Sequence, residues 1–332
     1  MKKVKEIQDD ILSSLDEIEK EFGKGSVMLF GANNQKEIQT ISTGSLTLNK
    51  ALGIGGYPYG RVVEIFGSES TGKTTLALHA IAEVQKTGGR AAFIDAEHAI
   101  DPNYCKKLGI DLDRLILSQP DSGEQALNIC EALIKTEKIS LIVIDSVAAL
   151  VPEAELNGEM GDQLMGAHAR LMSKGLRKIS ALISKTNCVV IFINQIREKI
   201  GVMFGNPQTT TGGRALKFFS TLRLEIKRQE VIKKNNESTG IVIKVVVIKN
   251  KLASPFQQAT FEIRFGEGIN SAAEVIDLAT EYDIIKKSGS WYSFKDEKIG
   301  QGREAIMDLF KEKPEIKEEI TKEVMSKLFP EQ

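Results

Sequence analysis

The chain is poor in the residues that make metal centres and disulfides: three cysteines, three histidines and one tryptophan in 332 residues. Cys105, Cys130 and Cys188 are odd in number and far apart, which excludes a disulfide scaffold and fits reduced thiols in a cytoplasm. His79, His98 and His168 form no ligand spacing with them, so a zinc enzyme is not indicated. Neither sign of charge is in excess. The 44 Lys and Arg against 45 Asp and Glu leave a formal net charge of -1, so any surface for a polyanion must be local. Long apolar runs are missing too: the longest uncharged stretch, from Ile200 to Gly213, is full of glycine and threonine, which rules out a membrane span. The opening MKKVKEIQDD lacks the apolar segment of a secretory leader. What remains, 42% hydrophobic and 27% charged, is a globular composition of a length suited to about two domains.

Three textures follow one another along the chain. Val4, Ile7, Ile11, Leu15, Ile18 and Phe22 recur at steps of three and four among charges, one apolar stripe on a helix that Gly23 and Gly25 should end. Residues 1–33 therefore read as a helical N-terminal segment. From about residue 34 to 270, β-branched runs alternate with helical patterns, as in a parallel sheet covered by helices. The runs are RVVEIFG (61–67), AAFID (91–95), LIVID (141–145) and CVVIFIN (188–194), apolar almost throughout, as strands buried on both faces require. Residues 221–232 and 241–250 alternate around KNNESTG and predict an antiparallel hairpin extending the sheet. Residues 271–332 form a smaller, helix-rich segment with the tryptophan, a small C-terminal α+β domain. The fold class is thus α/β with a mostly parallel sheet and an antiparallel extension.

The most specific motif is Gly67-Ser68-Glu69-Ser70-Thr71-Gly72-Lys73-Thr74, which fits G-x-x-x-x-G-K-[ST] between an apolar run and the helical pattern TLALHAIAEVQK. Glycines let the backbone curl so that its N–H groups and the helix N-terminus point at phosphate oxygens. Lys73 can then reach the β and γ phosphates, and the Thr74 hydroxyl can bind Mg²⁺. This is the signature of a P-loop NTPase core. Polar residues follow three other runs, where the carboxyl ends of strands line the ligand crevice of an open α/β sheet. Asp145 suits a direct or outer-sphere carboxylate for Mg²⁺. Glu97, close after Asp95, is placed to orient or deprotonate a water attacking the γ-phosphate. Asn194 and Gln195 offer neutral amides that sense the γ-phosphate without repelling it. For each of these, a helix cap or a solvated loop residue is the plainer alternative.

A second ligand is suggested further on. Between Gly166 and Lys185 there is no acidic residue, and Arg170, Lys174, Arg177 and Lys178 fall on one side of a helix with Leu171, Met172, Leu176, Ile179 and Ile183 opposite. A cationic stripe is often merely solvated. This one is flanked by two glycine-rich stretches, 157–166 and 196–214, the second too long for an ordinary connection. Both carry apolar residues, Met165, Ile200, Met203 and Phe204, next to Arg or Lys. That combination suits wedging between bases while cations hold the backbone, although the same side chains could simply anchor the loops.

Taken in order, GSESTGKTT, FIDAEHA, LIVIDSVAALVP, GDQLMGAHARLMSKGLRK, NQIREKIGVMFGNPQTTTGGRALKFF, VIKNKLASPF, FGEGIN and SGSWYSF resemble the bacterial RecA recombinases over essentially the whole chain. The resemblance implies a DNA-dependent ATPase that polymerises as a helical filament on single-stranded DNA. Such a filament pairs its strand with homologous duplex DNA, exchanges strands, and promotes self-cleavage of repressors in the DNA-damage response. It implies ATP and Mg²⁺, with Gly67 through Thr75 cradling the phosphates, Thr74 and Asp145 serving the metal, and Glu97 activating water. It further implies Gln195 relaying γ-phosphate occupancy, and Asp101 and Tyr104 at the adenine. Lys249 and Lys251 match a pair that reaches a neighbouring protomer's phosphates, and the N-terminal helix matches one that packs on an adjacent protomer. Met165, Arg170, Ser173, Arg177, Ile200, Gly212, Gly213 and Arg214 fall on the DNA side.

Departures from the family pattern are few. Ser68 and Thr71 differ from the commonest loop at positions that contribute mainly backbone. Gln208 stands where many members have Glu, Glu198 brings an acid into the DNA loop, and Phe265 replaces a frequent Tyr. Residues 311–332 mix Lys and Glu and lack a strongly acidic tail. Two rivals share the P-loop: a hexameric helicase-like motor, and a phosphotransferase acting on a small molecule, in which the long loops would serve only as a lid.

Overall fold

The computed structural model describes residues 11, 14–23, 26–27, 38–159, 164, 166–198 and 208–330. It divides into two compact units, 1–39 and 40–332. In the first, residues 14–22 are helical. Gly23 ends the helix at φ 96°, its N–H donating to the Glu19 carbonyl at 2.9 Å, as the glycine predicts. Ile11, Ile18 and Phe22 of the apolar stripe are exposed, and Val4, Ile7 and Gly25 lie outside the described residues.

The second unit starts with a short antiparallel pair, β1 (Thr40–Ile41) and β2 (Tyr57–Pro58). A ten-stranded sheet follows, made of β3 (Arg61–Gly67), β4 (Ala91–Asp95), β5 (Leu115–Ser118), β6 (Leu141–Asp145), β7 (Val189–Glu198), β8 (Gln208–Thr210), β9 (Leu222–Lys234), β10 (Glu237–Asn250), β11 (Gln258–Arg264) and β12 (Gly268–Ile269). Its order is β12-β11-β10-β9-β3-β7-β6-β4-β5, with β8 paired to β7. Every pairing from β9 to β5 along this path is parallel, and β9 to β12 are antiparallel.

The period of two in the strands feeds two cores. Val63, Ile65 and Val143 join Leu76, Ile81 and Val84 of the helix Lys73–Lys86 on one face. Val62, Ile142 and Ile144 join Leu127 and Ile134 of helix Gly123–Lys135 and Met172, Leu176 and Ile179 of helix Ala167–Ile183 on the other. This is why the central strands are apolar on successive residues. At the edge, β5 has mixed burial and a short LILS sequence that no alternation betrays.

The β9–β10 hairpin is longer than the seven-residue turn expected from KNNESTG. Its turn is only Asn235–Asn236, at φ 51° and 67°, with Lys234 facing Glu237. Two consecutive left-handed residues give the strand twist its natural hairpin, and asparagine tolerates that conformation well. The polar sequence reads as a loop because the far ends of both strands are solvent-exposed.

Beyond Asn270 the chain builds its own small core. Val275, Ile276 and Leu278 of helix Ser271–Glu281 pack with Ile285, Tyr292 and Phe294 of the sheet β13 (Ile285–Ser288), β14 (Trp291–Phe294) and β15 (Glu297–Gln301). Helices Arg303–Glu312 and Pro314–Leu328 complete it with Phe310, Ile320 and Val324. Buried Glu274 joins this part to the N-terminus of helix Leu46–Leu52 by accepting the Ser45 hydroxyl at 2.5 Å and the Thr47 N–H at 3.2 Å. No helix among the described residues is long and apolar enough to cross a membrane.

Candidate nucleotide and nucleic-acid site

The carboxyl ends of β3, β4, β6 and β7 meet along one rim of the sheet, so Gly67, Asp95, Asp145 and Gln195 are brought together by register alone. After β3 the loop turns through Ser70 at φ 55° and Gly72 at φ 87° into helix Lys73–Lys86. A Cβ on Gly72 would come 2.5 Å from the Ile263 side chain, so both the left-handed backbone and the close packing require glycine there. Thr71 contributes more than backbone, against the expectation from its place in the loop: it is buried and its hydroxyl donates to the Ser68 carbonyl at 2.9 Å, fixing the loop from inside, while Ser68, Glu69 and Ser70 are exposed. The Lys73 ammonium lies back on the same carbonyl at 2.6 Å. Burial draws its pKa below the ordinary lysine value against the pull of Asp145, Glu97 and Glu69.

Thr74 donates to Asp145 Oδ2 at 2.6 Å. Burial raises the Asp145 carboxyl to about 6, and Glu97 and Asp95 add to the rise while the Thr74 hydrogen bond and Lys73 oppose it. A carboxylate so desolvated gains from a nearby cation. Asp95 is differently employed: its oxygens accept the N–H groups of Ala99 and Ile100 and the Gln119 amide, bracing the segment that carries Glu97. Glu97 is exposed, with Oε1 accepting the Ser146 hydroxyl and the Gln195 amide, the latter at 3.1 Å. Thr75 and the Tyr104 hydroxyl are 3.1 Å apart, and Asp101 caps the helix that bears Tyr104 by accepting the Asn103 N–H at 2.8 Å. The phosphate loop with Lys73 and Thr74, Glu97, Asp145 and Gln195 thus lie together along this rim, with Thr75 and Tyr104 beside them.

Asn194 does not. It is fully buried and its amide is spent: Nδ2 donates to Glu64 Oε1 at 3.0 Å and to the Thr211 carbonyl at 3.1 Å, while Oδ1 accepts the Gln195 N–H and the Thr211 hydroxyl. It has no capacity left for a phosphate. Asn194 is instead the inner anchor of the strand end that presents Gln195.

Lys249 and Lys251 stand apart from the crevice. Lys249 Nζ donates to the carbonyls of Lys217 and Phe218 at 2.7 and 3.1 Å. Desolvation, then Lys251 and Arg223, lower its pKa to about 8. Lys251 is exposed.

The basic helix has the predicted faces. Arg170, Lys174, Arg177 and Lys178 are exposed, Ser173 is half-buried beside them, and Met172, Leu176, Ile179 and Ile183 are buried. Lys178 also meets Glu131 at 3.5 Å. Gly212 and Gly213, at φ 78° and 75°, lie against this helix. A Cβ on Gly212 would come 3.0 Å from Met172 and one on Gly213 2.9 Å from Ala169. The end of the second glycine-rich stretch therefore docks on the basic helix through residues that have no room for a side chain. Arg214 follows, exposed, at the start of helix Ala215–Phe219. Met165, Ile200, Met203 and Phe204 lie outside the described residues. Glu198 and Gln208 are register partners across β7 and β8, so the acid gained at 198 faces a neutral amide, where a carboxylate at 208 would oppose it.

Glu64 and Arg223, which sequence reasoning passed over, form a buried ion pair beneath the crevice, with the guanidinium 4.6 Å from the Phe66 ring centre. The signal was available: a glutamate inside a strand buried on both faces demands an equally buried partner. Among the described residues no three His, Cys, Asp or Glu side chains are grouped to hold a metal. Thr74 and Asp145 bring two oxygens together at the rim, 2.6 Å apart, the donor type that hard divalent cations take.

Residues 9–270 match the family model of the RecA N-terminal domain and residues 273–329 that of the RecA C-terminal domain. Protein RecA of Halalkalibacterium halodurans is 60% identical over 307 residues, 92% of this chain and 88% of that protein. Protein RecA of Bacillus mycoides is 59% identical over 92% of this chain and 90% of its own. That of Listeria monocytogenes is 58% identical over 94% and 89%. The rim of phosphate-binding loop and carboxylates, the basic helix with its docked loop end and these matches over nearly the full length agree: the chain belongs to the RecA family of DNA-dependent ATPases, which form filaments on DNA and carry out homologous recombination.

Proposed function

We propose that the crevice works as an ATP site shared between protomers, with each residue in a distinct role. The backbone from Gly67 to Thr75 and the ammonium of Lys73 hold the phosphates, and Asp101 and Tyr104 border the base. Mg²⁺, held by Thr74 and supported by Asp145, would neutralise charge between the β and γ phosphates. Glu97 takes the proton of the attacking water, and Ser146 and Gln195 fix its orientation. Gln195, bonded to Glu97 and continuous with the strand that enters the DNA loop, passes the state of the γ-phosphate to that loop. Lys249 and Lys251 act on the nucleotide of the adjacent protomer, so that triphosphate strengthens the seam and its hydrolysis weakens it.

The grip on single-stranded DNA comes from Arg170, Ser173 and Arg177 together with Gly212, Gly213 and Arg214, and from Met165 and Ile200 in the flanking loops. Duplex DNA is the second partner during pairing. Self-cleavage of SOS repressors is the third activity, on the same filament. Three buried thiols fit a cytoplasmic setting: burial raises Cys105 to about 11 and Cys188 to about 12, and Cys130 well above its usual value.

The observation that carries this reading is the hydrogen bond between Gln195 and Glu97, because it joins the hydrolytic carboxylate to the strand leading into the DNA loop. The test is ATP hydrolysis with and without single-stranded DNA, combined with electron microscopy. Stimulation together with helical filaments is expected. Closed rings would favour the translocating motor, and indifference to DNA a phosphotransferase.

A further inference from the structure

Glu64 is fully buried in the middle of β3, where a carboxylate is costly unless every charge around it is answered. Two partners answer it, and each leads elsewhere. Asn194 on β7 donates to Oε1 and with its remaining capacity grips both the carbonyl and the hydroxyl of Thr211. Arg223 on β9 donates to Oε2, lies over the Phe66 ring, and is the cross-strand partner of Lys249 on β10. Lys249 in turn donates to the last carbonyls of helix Ala215–Phe219, the helix that begins four residues after Thr211.

These contacts close a ring: Thr211, Gly212 to Arg214, helix Ala215–Phe219, Lys249, Arg223, Glu64, Asn194, and back to Thr211. In it Lys249 and Arg223 lie in succession on one side of the Glu64 carboxylate, with the neutral Asn194 amide on the other. If the Lys249 ammonium leaves the helix carbonyls for a phosphate, the end of that helix loses its donors and the balance of charge about Arg223 changes. Glu64 cannot let go of Arg223 or Asn194 without leaving its charge unpaired, so the change is carried to Thr211 at the loop base.

We propose that Glu64 is a positioning residue that ties the base of the DNA loop to the lysine engaging the neighbouring nucleotide, with Asn194, Thr211 and Arg223 as its links. The inference rests on the reading of Lys249 as acting across the protomer boundary. It adds a path from that boundary to the loop that does not pass through Gln195.

The test uses the full-length protein and poly(dT) as single-stranded probe. Thr211→Val removes the hydroxyl that Asn194 accepts and keeps the shape. Glu64→Gln keeps the volume and removes the charge. Thr211→Val is expected to leave basal hydrolysis and the melting temperature as in the parent, while the stimulation by poly(dT) falls at least about 5-fold, the lower edge of site-to-site coupling. Glu64→Gln is expected to lose the same stimulation and to melt lower. Thr211→Val with stimulation within about twofold of the parent overturns the proposal, even if Glu64→Gln unfolds, because the cluster is then a structural staple. A parent protein without any stimulation would overturn the recombinase reading itself, and a Lys249→Ala protein with normal stimulation the action across the boundary.

Discussion

The two lysine stations of this protein are held in opposite ways. Lys73 is almost wholly buried, seated on the Ser68 carbonyl in a loop that Thr71 braces from within, and the Asp145 and Glu97 carboxylates draw on its charge. Lys249 is only partly covered, has two like charges near it, and rests on the end of a five-residue helix. The first is a finished half-site in a single chain. The second is cationic and destabilised in place, and in the reading proposed above a neighbour's phosphate would give it a better partner than the one it has. On that proposal an ATPase that should fire only in a filament gains from the asymmetry, because the half built by one chain would not suffice alone.

Removing either station separates them. Lys73→Ala should lower kcat by about 10³-fold or more with or without DNA, since it strips charge stabilisation from every state. Glu97→Gln should cost about 10²- to 10⁴-fold in kcat while retaining ATP binding, measured by nucleotide titration, because it removes the base and leaves the cradle. Lys249→Ala should lower DNA-stimulated hydrolysis by about 5- to 100-fold while leaving one-to-one ATP binding by dilute protein unchanged. Weakened binding in that last variant at concentrations too low for assembly would place Lys249 in the same half-site as Lys73 and end the contrast.

The rigidity of the first station can be probed from behind. His79, on the phosphate-loop helix, accepts the Ile269 N–H at 2.9 Å, and burial lowers its pKa to about 4. A depressed histidine pKa means that the unfolded chain takes up the proton first. The stabilisation is complete above about 6.5 and is lost as pH falls from there toward 4. Between pH 7 and pH 5 this single group should remove about 2 kcal/mol. Thermal melting at the two values, with His79→Gln as the comparison, checks it: the substituted protein should have the shallower pH dependence.

Much of the first station is legible in the sequence. A glycine-rich loop between an apolar run and a helical pattern has few other meanings, and strands apolar on successive residues imply a sheet covered on both faces. Register then brings Asp145 and Gln195 beside Thr74 and Glu97. The second station is not legible in that way. Nothing in the periodicity of β9 and β10 says that Lys249 faces Arg223 or that its ammonium reaches back to residue 217, because such contacts join segments distant in sequence. Asn194 shows the same limit. Beside Gln195 it looks like a second phosphate-sensing amide, and only the buried carboxylate on the neighbouring strand explains why it points the other way. Glu64, an interruption in an apolar run, is the position whose burial cost signals a buried partner on a neighbouring strand.

The central claim is that triphosphate at the protomer seam governs the grip on unpaired DNA. Affinity for a fluorescent single-stranded oligonucleotide, measured at one salt concentration with a non-hydrolysable ATP analogue, with ADP and with no nucleotide, tests it most directly. Binding at least about 10-fold tighter with the analogue than in the other two states is the predicted result. Equal affinity in all three would contradict the account.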